Sequence, residues 1–386
     1  VIFRRSNDEH FEEAAANGLQ RPPAEVLYAS ELARLAEDDQ RAGTPRPPGW
    51  ALSLPAVRRF VVGDRDANVR PKFVGSPGTV DRAMVTLATS RGLLLVGEPG
   101  TAKSLLSELL AAAISGTSML VIQGGAALTE DQMKYGWNYA LLVSEGPSSR
   151  SLVPGPLHRG MTEGRLVRFE EISRCPVEVQ DSLLSLLSER AMAVPELANA
   201  TTPDGAAGSD AMVFAAEGFN VIATANTRDK GVNEMSAALR RRFNFETVFP
   251  IADLQTEVDL VRRESARLLA RSGVPLTPPA DLIEVLVTAF RELRSGQTLE
   301  GRSLEHLSSV LSTAEAVSLA HAVGVRAWYL RGGEPDARDV VDSLAGTAVK
   351  DNAEDLKRLR AYLEHQVAGR KGIWKDLHAA RHLLNG

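Results

Sequence analysis

A polyphosphate is handled by backbone N–H groups, a lysine, a hydroxyl for the metal and carboxylates for water, and this chain carries all of them in order. Gly97-Glu98-Pro99-Gly100-Thr101-Ala102-Lys103-Ser104 follows the apolar run Leu93-Leu94-Leu95-Val96, so a buried strand leads through a glycine-bearing turn into a helix. The N–H groups of such a turn point at phosphate oxygens, and the helix start adds its positive dipole end. Lys103 would reach the terminal phosphates and Ser104 would ligate Mg²⁺. The binding candidates of this loop are Gly97, Pro99, Gly100, Thr101, Ala102, Lys103, Ser104 and Leu105. Ala102 stands where such loops place glycine. Because a Cβ disfavours positive φ, Ala102 is expected at negative φ.

A second run, Leu166-Val167-Arg168-Phe169-Glu170-Glu171, reads as a strand that delivers two carboxylates at its C-terminal end. In an open α/β sheet ligands sit at that end. Glu170 would support the magnesium shell and Glu171 would polarise the attacking water, since metal holding and water activation need separate groups. Glu170 occupies a position usually filled by Asp, and Arg168 places a charge in a strand expected to be apolar, which is costly unless paired. A third strand, Phe219 to Ala225, ends in Asn226, whose amide can hold the water or a γ-phosphate oxygen. The fourth motif is Arg240-Arg241-Arg242-Phe243, where an arginine can stabilise transition-state charge on a neighbouring subunit's nucleotide. The plainer readings are a solvated helix start for the carboxylates, a turn or cap for Asn226 and a solvated face for the arginines.

These residues need a scaffold, and the hydrophobic pattern supplies one. Between Lys72 and Pro250 apolar runs alternate with helical patterns, which predicts a mostly parallel α/β sheet. Strands are expected at Leu93 to Val96, Ser118 to Ile122, Arg165 to Phe169, Asn220 to Thr224 and Asn244 to Phe249. Helices are expected at Ser104 to Ile114, Pro176 to Glu189 and Glu234 to Arg241. Two long inserts interrupt the alternation. Gly124 to Gly164 carries Tyr135, Trp137 and Tyr139 at strand spacing, and Ala193 to Glu217 carries Pro203-Asp204-Gly205, suited to a hairpin tip. After Pro250 the pattern is helical, with segments at Asp253 to Ser272, Pro279 to Arg294, Ser303 to Ala322, Ala337 to Lys350, Ala353 to Gln366 and Asp376 to Leu384. Residues before about 70 read as an extension ahead of the main domain.

Composition narrows the function classes. The 386 residues suffice for two or three domains, with 44% hydrophobic and 24% charged residues. A net charge of -5 argues against holding nucleic acid mainly by bulk positive charge. The one cysteine, Cys175, excludes an intramolecular disulfide and reads as a small buried residue. The seven histidines show no metal-ligand spacing. No apolar run is long enough for a membrane span, so a cytoplasmic protein is expected.

Taken in order, the four motifs resemble the AAA+ ATPases, specifically the MoxR-type and dynein-related branch. Ala before Lys in the phosphate loop, Val121-Ile122-Gln123, Pro154-Gly155-Pro156-Leu157 and the run from Glu170 through Gln180 to Leu187 are similar to that branch over roughly residues 72 to 320. The resemblance implies a five-stranded parallel P-loop core of order 5-1-4-3-2 and a C-terminal α-helical lid domain; with the N-terminal helical extension, which the resemblance does not cover, the chain divides as 1–70, 71–250 and 251–386. It also implies ATP with Mg²⁺ bound between the subunits of a homo-oligomeric ring, usually a hexamer. Asn226 then matches the sensor position. Arg242, directly before Phe243, matches the arginine finger, with Arg241 as the fallback. Arg302, in Gly301-Arg302-Ser303-Leu304-Glu305, resembles the lid arginine on the γ-phosphate, and Val74 and Gly75 lie where the family wraps the base.

The function implied is an ATP-driven, chaperone-like machine that remodels or matures a partner protein, often one with a von Willebrand factor A domain. The two inserts match those that face the pore or the partner. A second reading is a nucleic-acid-linked motor resembling the methylation-dependent restriction GTPases, to which the segment from Asn226 to Phe243 is also similar. A third is a nucleotide-gated scaffold, if Arg168 or Glu170 disables hydrolysis. The acidic balance and Ala102 favour the first.

Overall fold

Strands rich in buried apolar residues need cover on both faces, and five strands align here in one parallel sheet. In chain order the strands are β1 (Gly92–Gly97), β2 (Val121–Gln123), β3 (Tyr135–Trp137), β4 (Leu152–Pro154), β5 (Leu166–Glu170), β6 (Ala191–Ala193), β7 (Met212–Phe214), β8 (Asn220–Asn226) and β9 (Phe243–Thr247). The main sheet runs β9-β1-β8-β5-β2, and β3–β4 and β6–β7 form separate two-stranded hairpins. With the hairpin strands left out of the numbering, that order reads 5-1-4-3-2. The computed structural model describes residues 19–198, 211–226, 234–308, 311–350 and 352–385. It forms two compact units, one running to Glu98 and resuming over Ala102–Val248, the other joining Pro99–Thr101 to Phe249–Gly386.

The first unit is a three-layer α/β/α sandwich, and side-chain alternation along its strands shows why. Leu93, Leu95 and Ile222 enter one core with α2 (Leu54–Val62), α3 (Pro77–Leu87) and α4 (Lys103–Ser115). Leu94, Val167, Phe169, Val221 and Ala223 enter the opposite core, with Leu157 and Leu186. Period-two geometry therefore turns Arg168 and Glu170, the residues between and beyond Val167 and Phe169, toward α4.

The described residues ahead of residue 71 pack into the same core as this unit's helices. Leu35 of α1 (Ala29–Ala42) and Val57, Phe60 and Val61 of α2 are buried in the same core as Leu109 and Leu110 of α4. Glu108 accepts a hydrogen bond from Ala24 N at 3.1 Å, and Ala51 N donates to Ile114 O at 2.7 Å. Ser53 caps α2, and buried Asp39 accepts from both its N–H and its hydroxyl.

Several element boundaries differ from expectation for identifiable reasons. The strand expected at Ser118 to Ile122 pairs only over Val121–Gln123, because Glu25 takes the N–H and hydroxyl of Ser118 at 2.9 and 2.7 Å. The helix expected at Pro176 to Glu189 divides into Val177–Asp181 and Leu183–Ser188. Tyr135 and Trp137 do share β3, with their rings edge-to-face at 6.1 Å. Tyr139 instead opens a short helix capped by Asn138, and it is 77% exposed. The turn Pro203-Asp204-Gly205 lies outside the described residues.

The second unit is helical: α5 (Leu254–Arg271), α6 (Ala280–Ser295), α7 (Thr313–Val325), α8 (Ala337–Leu344), α9 (Ala353–Ala361) and α10 (Ile373–Ala380) share one core. The helix expected from Ser303 starts at Thr313, where Ser312 and Glu315 form a reciprocal capping box.

Candidate functional site

Strand register brings the C-terminal ends of β1, β5 and β8, with Gly97, Glu170 and Asn226, to one end of the sheet. Gly97 pairs with Asn226 across β1 and β8, Phe169 pairs with Ala223 across β5 and β8, and Gln123 pairs with Glu170 across β2 and β5. All these strands are parallel, so their C-terminal ends and the residues after them meet at the crevice where ligands of open α/β sheets bind.

Lys103, only 6% exposed, folds back so that Nζ donates to Gly97 O at 3.1 Å and Glu98 O at 2.7 Å. Gly100 has φ +75°, a conformation that suits glycine. Ala102 has φ 65° and ψ 26°, so the expectation of negative φ is corrected. The turn from strand to helix demands the left-handed region at the residue before α4 whichever side chain is there, and Ala102 accepts a strain of roughly 1–2 kcal/mol. Ser104 and Leu105 lie exposed on the first turn of α4.

The partner of Arg168 is Glu170. Arg168 Nη2 donates to Glu170 Oε1 at 2.8 Å and to Ser104 O at 3.1 Å, Nη1 to Ser118 O at 3.2 Å and Nε to Ser107 Oγ at 2.9 Å. Glu170 also accepts from Ser107 Oγ at 2.6 Å, Ser104 Oγ at 2.7 Å and Thr224 Oγ1 at 2.8 Å. Arg168 and Glu170 are 7% and 6% exposed. Burial pushes the Glu170 carboxyl up, but the Ser107 and Ser104 hydroxyls, the Arg168 charge and Thr224 outweigh it and hold Glu170 below the usual carboxylate range. Neither Ser107 nor Thr224 was singled out in the sequence. A hydroxyl facing the same strand end was the signal available, and it is too common to be diagnostic.

Glu171 is more open. Its backbone is left-handed, φ 56° and ψ 45°, and its N–H donates to Thr224 Oγ1 at 3.0 Å. Gly124 allows this turn, because a Cβ there would lie 2.2 Å from Glu171 O. The Glu171 carboxylate pairs with Arg174 Nε at 2.9 Å, and both side chains are substantially exposed. Such a solvated pair is worth about 0–1 kcal/mol, so the carboxylate can leave it for another partner at little cost. Asn226 is half-buried at the end of β8.

The arginine run does not act as a single patch. Arg240 stacks over Phe245 at 5.4 Å, and Arg242 Nε donates to Ser188 Oγ at 2.8 Å. Arg241 is exposed, and its side chain has no hydrogen bond or ion pair among the described residues. Arg302 sits exposed in the second unit, in a turn where Thr298 N donates to its carbonyl at 2.8 Å. Val74 and Gly75 follow Lys72 and Phe73, whose N–H groups both donate to Val61 O at 3.1 Å. Lys72 Nζ lies against the Phe60 ring, pairs with Glu31 and donates to Phe60 O at 3.0 Å. Burial lowers the Lys72 pKa against the pull of Glu31. The N-terminal helices thus hold the segment that carries Val74 and Gly75.

Among the described residues no group of three or more His, Cys, Asp or Glu could hold a metal by itself. The oxygen set of Ser104 with Glu170 behind it nevertheless fits magnesium, which retains waters and phosphate oxygens and needs few protein ligands. Glu170 already accepts four hydrogen bonds, so its natural contribution is through the Ser104 hydroxyl. Among the described residues no helix is long and apolar enough to cross a membrane.

Residues 92–243 match the AAA domain of the dynein-related subfamily, and residues 255–385 match the YehL-like AAA+ ATPase C-terminal domain. The chain is 58% identical over 371 residues to the uncharacterized protein YehL of Escherichia coli K12, covering 95% of this chain and 98% of that one. An uncharacterized protein of Staphylococcus epidermidis is 24% identical over 253 residues, covering 65% of this chain and 87% of its own. Among solved structures, NtrX from Brucella abortus in complex with ADP is 13% identical with a TM-score of 0.47, covering 98% of this chain and 75% of that one.

Proposed function

Because this chain belongs to the YehL-like AAA+ ATPases, whose core is of the dynein-related type, we propose that it hydrolyses ATP and uses the energy, as a homo-oligomeric ring, to remodel or mature a partner protein. The observation that carries the catalytic part is the convergence of Lys103, Ser104, Glu170, Glu171 and Asn226 at the ends of β1, β5 and β8. Lys103 exchanges the loop carbonyls for phosphate oxygens and stabilises their charge. Ser104, backed by Glu170, would hold Mg²⁺, which would neutralise charge on the phosphates. Glu171 accepts the proton of the attacking water as the water oxygen bonds to the γ-phosphorus and the bond from that phosphorus to the β–γ bridging oxygen breaks, releasing ADP, with Asn226 aligning that water. Arg242, with Arg241 as the fallback, completes the site of a neighbouring copy, and Arg302 serves the γ-phosphate. Val74 and Gly75 contact the base. The partner class is the one the resemblance implies, a protein with a von Willebrand factor A domain.

The test is Glu171→Gln. It should bind ATP as the parent does and lose turnover by about 10²- to 10⁴-fold, the range for removal of a general base. Lys103→Ala should lose nucleotide binding. Wild-type hydrolysis by Glu171→Gln would overturn the catalytic assignment. Trapping partners on Glu171→Gln with ATP tests the rest: GTP turnover stimulated by DNA, with no protein partner recovered, would overturn the remodelling role.

A further inference from the structure

We propose that Arg168 is a positioning residue for the magnesium site, acting on Ser104 both directly and through Glu170. The inference rests on the ATPase reading above. A strand-end glutamate reaches one methylene further than an aspartate, so its two oxygens need to be placed. Here each oxygen has its own pair of donors. Oε1 takes Arg168 Nη2 and Ser107 Oγ, which pins it toward α4, and this leaves Oε2 for Ser104 Oγ and Thr224 Oγ1.

The consequence falls on Ser104. Its hydroxyl has one hydrogen, and with that hydrogen committed to Glu170 Oε2 its lone pairs remain for a cation. Arg168 Nη2 also accepts the task of fixing the other end of the residue, donating to Ser104 O at 3.1 Å. Its Nε holds Ser107, one of the donors to Oε1, and its Nη1 holds Ser118 O ahead of β2. The guanidinium therefore spans β5, the first turns of α4 and the segment before β2. Lysine, whose three donors radiate from one nitrogen, cannot satisfy these directions at once. The same network extends through Thr224 to the backbone N–H of Glu171.

A residue that merely filled the core would affect folding and nucleotide binding alike. A positioning residue affects the metal selectively, and groups behind a metal ligand typically change affinity by about 10- to 100-fold. The experiment uses the full chain with ADP, measuring Mn²⁺ binding by electron paramagnetic resonance and ADP binding in excess chelator. Arg168→Gln should weaken Mn²⁺ by about 10- to 100-fold and leave metal-free ADP affinity within about twofold. Arg168→Lys should recover part of the loss. Ser107→Ala, which removes one donor and the Nε acceptor, should weaken Mn²⁺ in the same direction and keeps the test decisive if Arg168→Gln does not fold. Unchanged Mn²⁺ affinity in Ser107→Ala and Arg168→Lys, or an equal loss of metal-free ADP binding, would overturn the proposal. A parent protein that binds ADP but no Mn²⁺ would overturn it while sparing the nucleotide site; one that binds neither overturns both.

Discussion

Both compact units bury arginine–carboxylate pairs, yet the pairs sit in different places and hold different things. In the α/β unit Arg168 and Glu170 lie at the strand ends, and the groups around Glu170 come from α4 and β8, the elements that also carry Lys103, Ser104 and Asn226. In the helical unit Glu257, Glu292, Asp339 and Asp355 are each 1% exposed or less, deeper than any carboxylate among the described residues of the first unit. Glu257 on α5 accepts from Arg291 and Arg294 on α6 and from Thr313 on α7. Glu292 accepts from Tyr362 Oη at 2.6 Å and from both Nη atoms of Arg370. Asp339 accepts two hydrogen bonds from Arg331, and Asp355 accepts from the N–H and hydroxyl of Ser308. These carboxylates cross-tie short helices and the loops between them. The comparison teaches that one chemistry serves two ends: in the sheet it aims a hydroxyl, and in the bundle it supplies cohesion.

Breaking a cross-tie should have the largest effect. Glu257→Ala leaves Arg291 and Arg294 without their buried carboxylate and should destabilise the helical unit by about 3–5 kcal/mol in urea unfolding. A loss below about 1 kcal/mol would mean that the tie contributes little cohesion.

An intermediate effect sharpens the other side. Thr224→Val removes one donor to ionised Glu170 and should cost about 1.5–3 kcal/mol at pH 7. Glu170 is held below its ordinary pKa, so its network stabilises the fold above the unfolded carboxylate value and loses that contribution as pH falls through the folded value. The gap between Thr224→Val and the parent should therefore narrow below about pH 4.5. A gap that stays constant from pH 7 into the acid range would show that Thr224 acts through packing.

The smallest effect is a gain. Ala102→Gly should raise stability by about 1 kcal/mol by relieving the left-handed strain at the loop, because only the Cβ is removed. Denaturant midpoints check it, and a loss of stability would show that the Cβ makes a contact outweighing the strain.

Much of the site was legible because its parts are contiguous. A strand, a turn and a helix start occupy Gly92 to Ser104 without interruption, and the two carboxylates are adjacent in the chain. Arg168 was legible only as a problem. Its solution combines Glu170, two residues on, with side chains and carbonyls of Ser104, Ser107 and Ser118, between 50 and 64 residues away in sequence. The N-terminal segment was illegible for a related reason: its amphipathic helices have an apolar face, but nothing local says that α4 and the Lys72 segment are what that face covers.

Covalent order and hydrophobic period determined, with no structure needed, that strands would alternate with helices, that a phosphate loop would leave one strand and that paired carboxylates would leave another. Those properties depend on residues within a few positions of one another. Tertiary structure alone decided which strands lie side by side, that Glu170 turns toward Arg168 and Ser104, that Glu171 stays half in solvent and that Ala102 takes a left-handed turn. Each of these depends on groups brought together across long stretches of chain, where the low polarity of the core makes every buried charge find a partner and the close packing leaves it few places to do so.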